Sequence, residues 1–390
     1  MQHAAPIKKT TVFFPNLDGL RFLSFLAVFL YHCYLSFFSH WKTTNPEIYE
    51  IISFLFRNGY LGVNFFFVLS GFLITFLLIR ERDMNGTIHI GKFYVRRILR
   101  IWPLYYLCIV IGFVLFPLIK QMSGESAQEN ADLDYYIFFA ANFDYMHNWP
   151  LRPEAILLSV LWSVAVEEQF YLSWPVLLKY ISSKIYPFIF PAIVLFSLLF
   201  RSMYIGPTEA DHAVRYFHTF SLIGDMAMGG LFAYLLSYES GFKKMITGLR
   251  KPYIVLIYIG TVLLVLFKNI IFPSGFPIIW ERFVISIFFG LIIVEQNFSD
   301  HSLFKIGRWR LVSKLGIYTY GLYCLHLLGM YLTVKLFSKF GFPEGNFFVG
   351  AGAAVLSLLF SIAISLGSYH LFEKWFLRLK DRFAFVVKAA

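Results

Sequence analysis

Among the ionisable side chains that this 390-residue chain sets in or beside apolar stretches, seven are of types and spacings that could do chemistry: Arg21, His32, Arg97, Arg100, Glu167, Glu168 and His326. Ionisable groups in such surroundings cost about 2.5–3.5 kcal/mol each on insertion scales, so each calls for a reason. Guanidinium forks hold phosphate oxygens bidentately. Histidine moves protons near neutral pH, and carboxylates serve as bases or counter-ions. Arg21 and His32 lie eleven residues apart in LDGLRFLSFLAVFLYHC. On a helix that is about 20° past three turns, so they share a face about 16 Å apart along the axis. A local alternative pairs Arg21 with Asp18, three residues earlier, and another hydrogen-bonds His32 to a neighbouring helix. Arg97 and Arg100, in KFYVRRILRIWPLYYL, are three apart and project from one face; they read either as a phosphate site or as a topological anchor. Glu167 and Glu168, in LWSVAVEEQFYLSWP, point about 100° apart. One carboxylate can therefore pair with an arginine while the other serves the site. His326 sits mid-helix in YTYGLYCLHLL, near Tyr318, Tyr320 and Tyr323, where a structural histidine is the competing reading.

The elements that carry these residues follow from composition. The chain is 58% hydrophobic and 15% charged, against about a quarter charged in soluble domains. Its apolar residues form ten blocks of roughly 18–25, long enough to cross the hydrocarbon: 17–37, 60–79, 101–119, 156–178, 186–203, 217–237, 253–271, 278–294, 315–334 and 346–371. The expected fold is an all-α integral membrane protein of about ten transmembrane helices. The first block is too long for a removable signal peptide and reads as a retained span. Cys33, Cys108 and Cys324 each lie inside an apolar block without paired spacing, so neither a disulfide framework nor a metal site is expected.

Ten spans place both termini on one side. If that side is the cytoplasm, 24 of the 34 Lys and Arg residues fall inside, among them Lys8, Lys9, six between 80 and 100 and five after 373. Basic loops resist translocation, so the expected topology is N-in and C-in. The net charge of +11 is then mostly a topology signal, and no basic soluble face for nucleic acid is present. One domain over 1–390 is expected, with no appended soluble domain and a longest outer loop near 120–155. Gly-x-Ser-x-Gly, Walker, His-Glu-x-x-His and His-x4-Asp motifs are missing, which argues against soluble hydrolases, P-loop ATPases and zincins.

Five segments in order resemble the acyltransferase-3 family of polytopic membrane acyltransferases: LDGLRFLSFLAVFLYH, GYLGVNFFFVLSGFLI from Gly59, KFYVRRILRIWPLYY, LWSVAVEEQFYLSWP and YTYGLYCLH. The resemblance implies a ten-helix O-acyltransferase of the bacterial cytoplasmic membrane. It would take an acyl group, usually acetyl, from cytoplasmic acyl-CoA to a hydroxyl of an extracytoplasmic glycan or glycolipid. By position, Arg21, Arg97 and Arg100 would hold the CoA phosphates, without a metal. His32 would act as general base or be acylated itself, and Glu167, Glu168 and His326 complete the implied catalytic set. The competing class is a transporter or flippase for acyl groups or lipid-linked sugars, since mid-membrane acids and histidines also mark transport paths. Against it, the two halves show no symmetric Gly/Pro-broken helices. Externally applied thiol reagent should label a cysteine at Ser126 and spare one at Lys244; the reverse pattern would overturn N-in, C-in topology together with a cytoplasmic donor.

Overall fold

The computed structural model describes residues 10–11, 14–122, 124, 128–343, 345–383 and 386–387. Lys8, Lys9 and Ser126 lie outside the described residues. Ten helices form the bundle: α1 (Pro15–Phe37), α2 (Gly62–Asn85), α3 (Ile90–Val110), α4 (Leu161–Tyr180), α5 (Tyr186–Ser202), α6 (Thr219–Tyr238), α7 (Lys251–Leu266), α8 (Pro277–Phe298), α9 (Thr319–Lys339) and α10 (Phe347–Ser368). Among the described residues, nine helical stretches are long and apolar enough to cross a membrane; Ser240–Thr247 and α7, bent by 90° at their junction, make a tenth when taken together as one broken span. The seventh expected block, 253–271, is thus a 16-residue helix, with a separate turn at Lys268–Ile271. A helix needs every backbone polar group satisfied internally once water is gone, which is why the apolar runs fold this way. Proline opens α1, α7 and α8, where its missing N–H is harmless. Gly86, at φ 72°, closes α2 with its N–H on the Arg82 carbonyl at 2.8 Å.

Packing is closest where side chains are smallest. α2 and α6 cross at Gly71 and Gly229; a Cβ on Gly71 would lie 2.0 Å from the Met226 carbonyl oxygen, and one on Gly229 2.0 Å from that of Val68. Lipid offers no hydrophobic drive between helices, so such backbone contact supplies the dispersion that holds them. α6 also packs on α5 and α8, and α1 lies against α2, α9 and α10. Buried ion pairs brace the bundle away from lipid: Arg282 on α8 bonds Asp225 on α6, and Lys268 meets Glu281 at 3.0 Å. A two-residue parallel pairing, Thr10–Thr11 with Val386–Val387, brings both ends of the described chain to one face, as an even number of crossings requires.

The loop between α3 and α4 carries two short helices, Leu133–Ile137 and Ala141–Asn148. It is pinned by one carboxylate. Glu129 accepts the backbone N–H groups of Asn130, Ala131, Glu154 and Ala155 at 2.9–3.0 Å, and Lys120 bonds Glu154 across the same loop. Gly71→Val should lower the thermal stability of the detergent-purified protein by about 1–3 kcal/mol or abolish its monodisperse folding, the range for overpacking a tight contact. An unchanged unfolding profile by fluorescence-detected size exclusion would show that the two backbones do not touch.

Candidate active site

α1, α2, α3, α4, α9 and the segment 369–381 converge on a cavity of about 480 Å³ at the face where the chain ends meet. Arg21 of α1, Arg97 and Arg100 of α3 and Lys380 supply cations; Asp18, Glu167, Glu373 and Asp381 supply acids. The walls are apolar, with Phe14, Phe66, Phe67, Leu73 and Ile101 among them, and the inner end carries Ser163 and Tyr323. The expected shared face of Arg97 and Arg100 is therefore realised, and it looks into the same space as Arg21.

The local alternative for Arg21 is also present: its Nη1 donates to Asp18 Oδ1 at 2.8 Å. Arg97 is held differently. Its guanidinium lies over the rings of Tyr171 at 5.1 Å and Phe93 at 5.4 Å, and its Nε is buried without a hydrogen-bond partner. Cation–π contact steadies the fork, while a buried donor left unmade costs about 1–3 kcal/mol and is a place for a ligand oxygen. The cavity suits an anion with an apolar arm: donor groups at its mouth, hydrocarbon walls beyond.

The paired glutamates separate as their 100° offset demands. Glu167 lines the cavity, and its Oε1 accepts the Ser70 hydroxyl at 2.7 Å; Tyr171 in turn donates to Ser70 at 3.1 Å. Glu168 is 4% exposed and faces α3, where its Oε2 accepts the Trp102 indole N–H at 2.9 Å. Its Oε1 is buried with no partner.

The two histidines meet. His326 Nε2 and His32 Nδ1 are 3.0 Å apart, joining α9 to α1 across 294 residues of sequence. His326 Nδ1 lies 2.8 Å from the Tyr323 carbonyl oxygen. A carbonyl only accepts, so His326 Nδ1 carries a proton. In the neutral ring Nε2 is then a lone pair, and His32 Nδ1 must donate to it. That leaves the lone pair of His32 on Nε2, the basic nitrogen of the pair. His326 is fully buried, with Phe25 and Phe29 edge-on to its ring at 5.7 and 6.2 Å, so its orientation is fixed by packing as well as by hydrogen bonds.

Neither histidine lines the arginine cavity; the link is Tyr323. Its ring forms part of the inner end, its carbonyl holds His326, and its hydroxyl bonds Ser163 at 2.6 Å. Ser163 Oγ–H is used on the Val160 carbonyl at 3.0 Å, so Tyr323 is the donor. Ser70, Ser163 and Tyr171 escaped the sequence reading because hydroxyls in apolar helices carry no spacing signal of their own. The three cysteines are free thiols and buried.

An all-helical polytopic membrane protein with arginines at one end of a cavity and a hydrogen-bonded histidine pair beyond the other is the class this fold defines. The model of the acyltransferase-3 family, described as an acyltransferase domain, matches residues 14–366, and the chain belongs to that family. Among curated relatives, a Staphylococcus aureus (strain N315) protein named as an O-acetyltransferase is 31% identical over 231 residues. O-acetyltransferase OatA of S. aureus (strain NCTC 8325 / PS 47) is 29% identical over 231 residues. Each alignment covers 57% of this chain and 35% of the relative, so the match reaches about a third of those proteins' length. No solved structure gives a significant match.

Nitrogen-15 NMR of histidine-labelled protein in bilayers should show both His32 and His326 protonated at Nδ1 and bare at Nε2. A single Nε2–H tautomer for His32 in the native protein would break the assignment of its basic nitrogen.

Proposed function

We propose that this protein is a membrane O-acyltransferase, acetyl being the first candidate group. It moves the acyl group from acyl-CoA entering on the cytoplasmic side to a hydroxyl of a carbohydrate or glycolipid on the other face of a bacterial cytoplasmic membrane. The observation that carries the reading is the His32–His326 hydrogen bond, 3.0 Å long and linked through Tyr323 to the arginine-lined cavity. The O-acetyltransferase names of the relatives support the acyl group.

Each residue then has a task set by its chemistry. Arg97, with its unmade buried Nε–H, and Arg100 hold donor phosphates, while Arg21, already tied to Asp18, adds positive field at the same mouth. Glu167 supplies countercharge to these guanidiniums and, through Ser70, fixes Tyr171 beneath Arg97. The apolar walls receive the pantetheine arm and keep water from the thioester. His32 Nε2 takes the proton of the acceptor hydroxyl as its oxygen bonds the acyl carbon; the carbon–sulfur bond breaks, and the thiolate leaves with the proton that His32 returns. Throughout, the His326 lone pair accepts His32 Nδ1–H, so the imidazole that turns over presents the same nitrogen each cycle.

Proteoliposomes given labelled acetyl-CoA test this directly, because a flippase without transfer chemistry would leave the thioester intact. His32→Gln should fold, bind CoA and lose transfer by about 10²–10⁴-fold, the usual worth of a general base. Arg97→Ala should instead weaken CoA binding by about 1.5–3 kcal/mol, with Lys restoring it only in part. An active His32→Gln protein removes His32 from the mechanism, and unchanged CoA affinity in Arg97→Ala returns the arginine to a topological anchor.

A further inference from the structure

His32 has a second neighbourhood, away from the arginine cavity, that the transfer mechanism leaves unused. A continuous series of ring contacts runs from it toward the α3–α4 loop. His32 meets Tyr31 at 5.4 Å, Tyr31 meets Tyr60 at 5.5 Å, and Tyr60 meets Tyr216 at 5.5 Å. Tyr216 then stacks on His212 at 5.8 Å with the rings 9° from parallel, and His212 meets Trp149 at 5.4 Å. The inner members are half-buried, while His212 is exposed. The series therefore joins the basic histidine to the surface. Every ring in it carries a polar atom at its edge, whereas packing alone would be served as well by phenylalanine, the commonest aromatic of this chain with 47 copies.

A cation accompanies that series, three residues beyond Trp149 in the chain. Arg152 is exposed, and its charge acts on His32, Tyr31 and Tyr145. It forms no ion pair among the described residues. It is not carried on a loose loop: its carbonyl accepts from Asn130 Nδ2 at 3.3 Å, and Glu129 ties down the backbone at Glu154 and Ala155 just beyond it.

We propose that this ring-lined surface with Arg152 is the acceptor seat, and that the acceptor is a sugar bearing an acidic group. Aromatic faces stack against the C–H face of a pyranose while phenol and imidazole edges meet its hydroxyls; the Trp149 indole N–H is held by Glu209 at 2.6 Å, which fixes that ring as a stacking face. The guanidinium takes the carboxylate or phosphate oxygens in a fork. Seated so, a sugar hydroxyl lies next to His32 on the side opposite the donor phosphates, which is where a base must find it. The seat deepens the transfer reading above and rests on it.

Saturation-transfer NMR on the full chain in detergent reads weak sugar binding without turnover. Methyl glucuronide and glucose 6-phosphate separate the two sources of negative charge; methyl glucoside is the neutral sugar and glycerol 3-phosphate the charge without a ring. The two acidic sugars should show saturated ring C–H protons, with binding about tenfold or more tighter than that of the other two probes, as a charge-assisted contact requires. Arg152→Gln should abolish the preference for the acidic sugars, and His212→Ala should reduce ring saturation for both. His32→Gln should still bind them, since the ring series and Arg152 are untouched. Equal binding of methyl glucoside removes the acidic group from the proposal, and equal binding of glycerol 3-phosphate removes the sugar. Acetyl-CoA turnover by the same preparation decides the transfer reading separately: turnover without any sugar binding overturns the seat alone, and sugar binding without turnover overturns the transfer.

Discussion

Two imidazoles 3.0 Å apart share one hydrogen bond, so one ring must offer a lone pair to the other. Most of the bundle's inner architecture follows from that constraint. The Tyr323 carbonyl settles which ring accepts, because it claims the other nitrogen of His326. Phe25 and Phe29, one turn apart on α1, close on His326 from the helix that carries His32. α9 is in turn held by α10, where Ser361 reaches the His326 carbonyl at 3.3 Å. An imidazole positioned this way would need no reorganisation on taking a proton, and preorganisation of that kind is where enzymes gain most of their electrostatic advantage.

Holding such a pair in a membrane requires rigidity from contacts other than the hydrophobic effect. The α2–α6 crossing supplies it through backbone approach at Gly71 and Gly229. The Asp225–Arg282 and Lys268–Glu281 pairs supply it through charge, with Arg201 capping the Ile278 and Arg215 carbonyls at 2.9 and 3.1 Å. Breaking a buried pair leaves an uncompensated charge, typically about 3–5 kcal/mol, so these ties resist slippage of α5, α6 and the Lys268–Ile271 turn against α8. The bond from Lys268 to the Tyr60 hydroxyl at 2.5 Å joins this brace to the ring series beside His32. The same ion pair that stiffens the bundle therefore also holds one ring of that series in place.

What could be read in the sequence was whatever lies within one helix. Ten apolar blocks gave ten helices, with α7 shorter than its block because the chain breaks at Phe267. The three-residue step from Arg97 to Arg100 gave a shared face, and the one-residue step from Glu167 to Glu168 gave divergent partners. The contact of His326 with His32 lay beyond such reasoning, since it spans 294 residues and depends on how α9 is rotated against α1. Arg282, Asp225, Glu281 and Lys268 also lie in apolar blocks, but the sequence reading passed over them, and their pairing is set by packing alone. Arg152 was invisible for the opposite reason: one arginine in a polar loop has no periodicity to mark it.

The arrangement also bears on how a group crosses the membrane. A transporter moves its cargo by rocking two halves around a fixed midplane site, so both halves must separate. Here α2 and α6 meet in direct backbone contact, and α1 is tied to α9 through the histidine bond, so none of these four helices is free to slide against its partner. An acyl transferase faces no such demand. In the transfer proposed above, the donor would reach in from one face on a flexible arm, the acceptor would approach from the other, and only the acyl group would change hands at the imidazole between them. A rigid bundle with two separate approaches to one imidazole is suited to that exchange, because the thioester and the hydroxyl then meet with no opening of the barrier they cross.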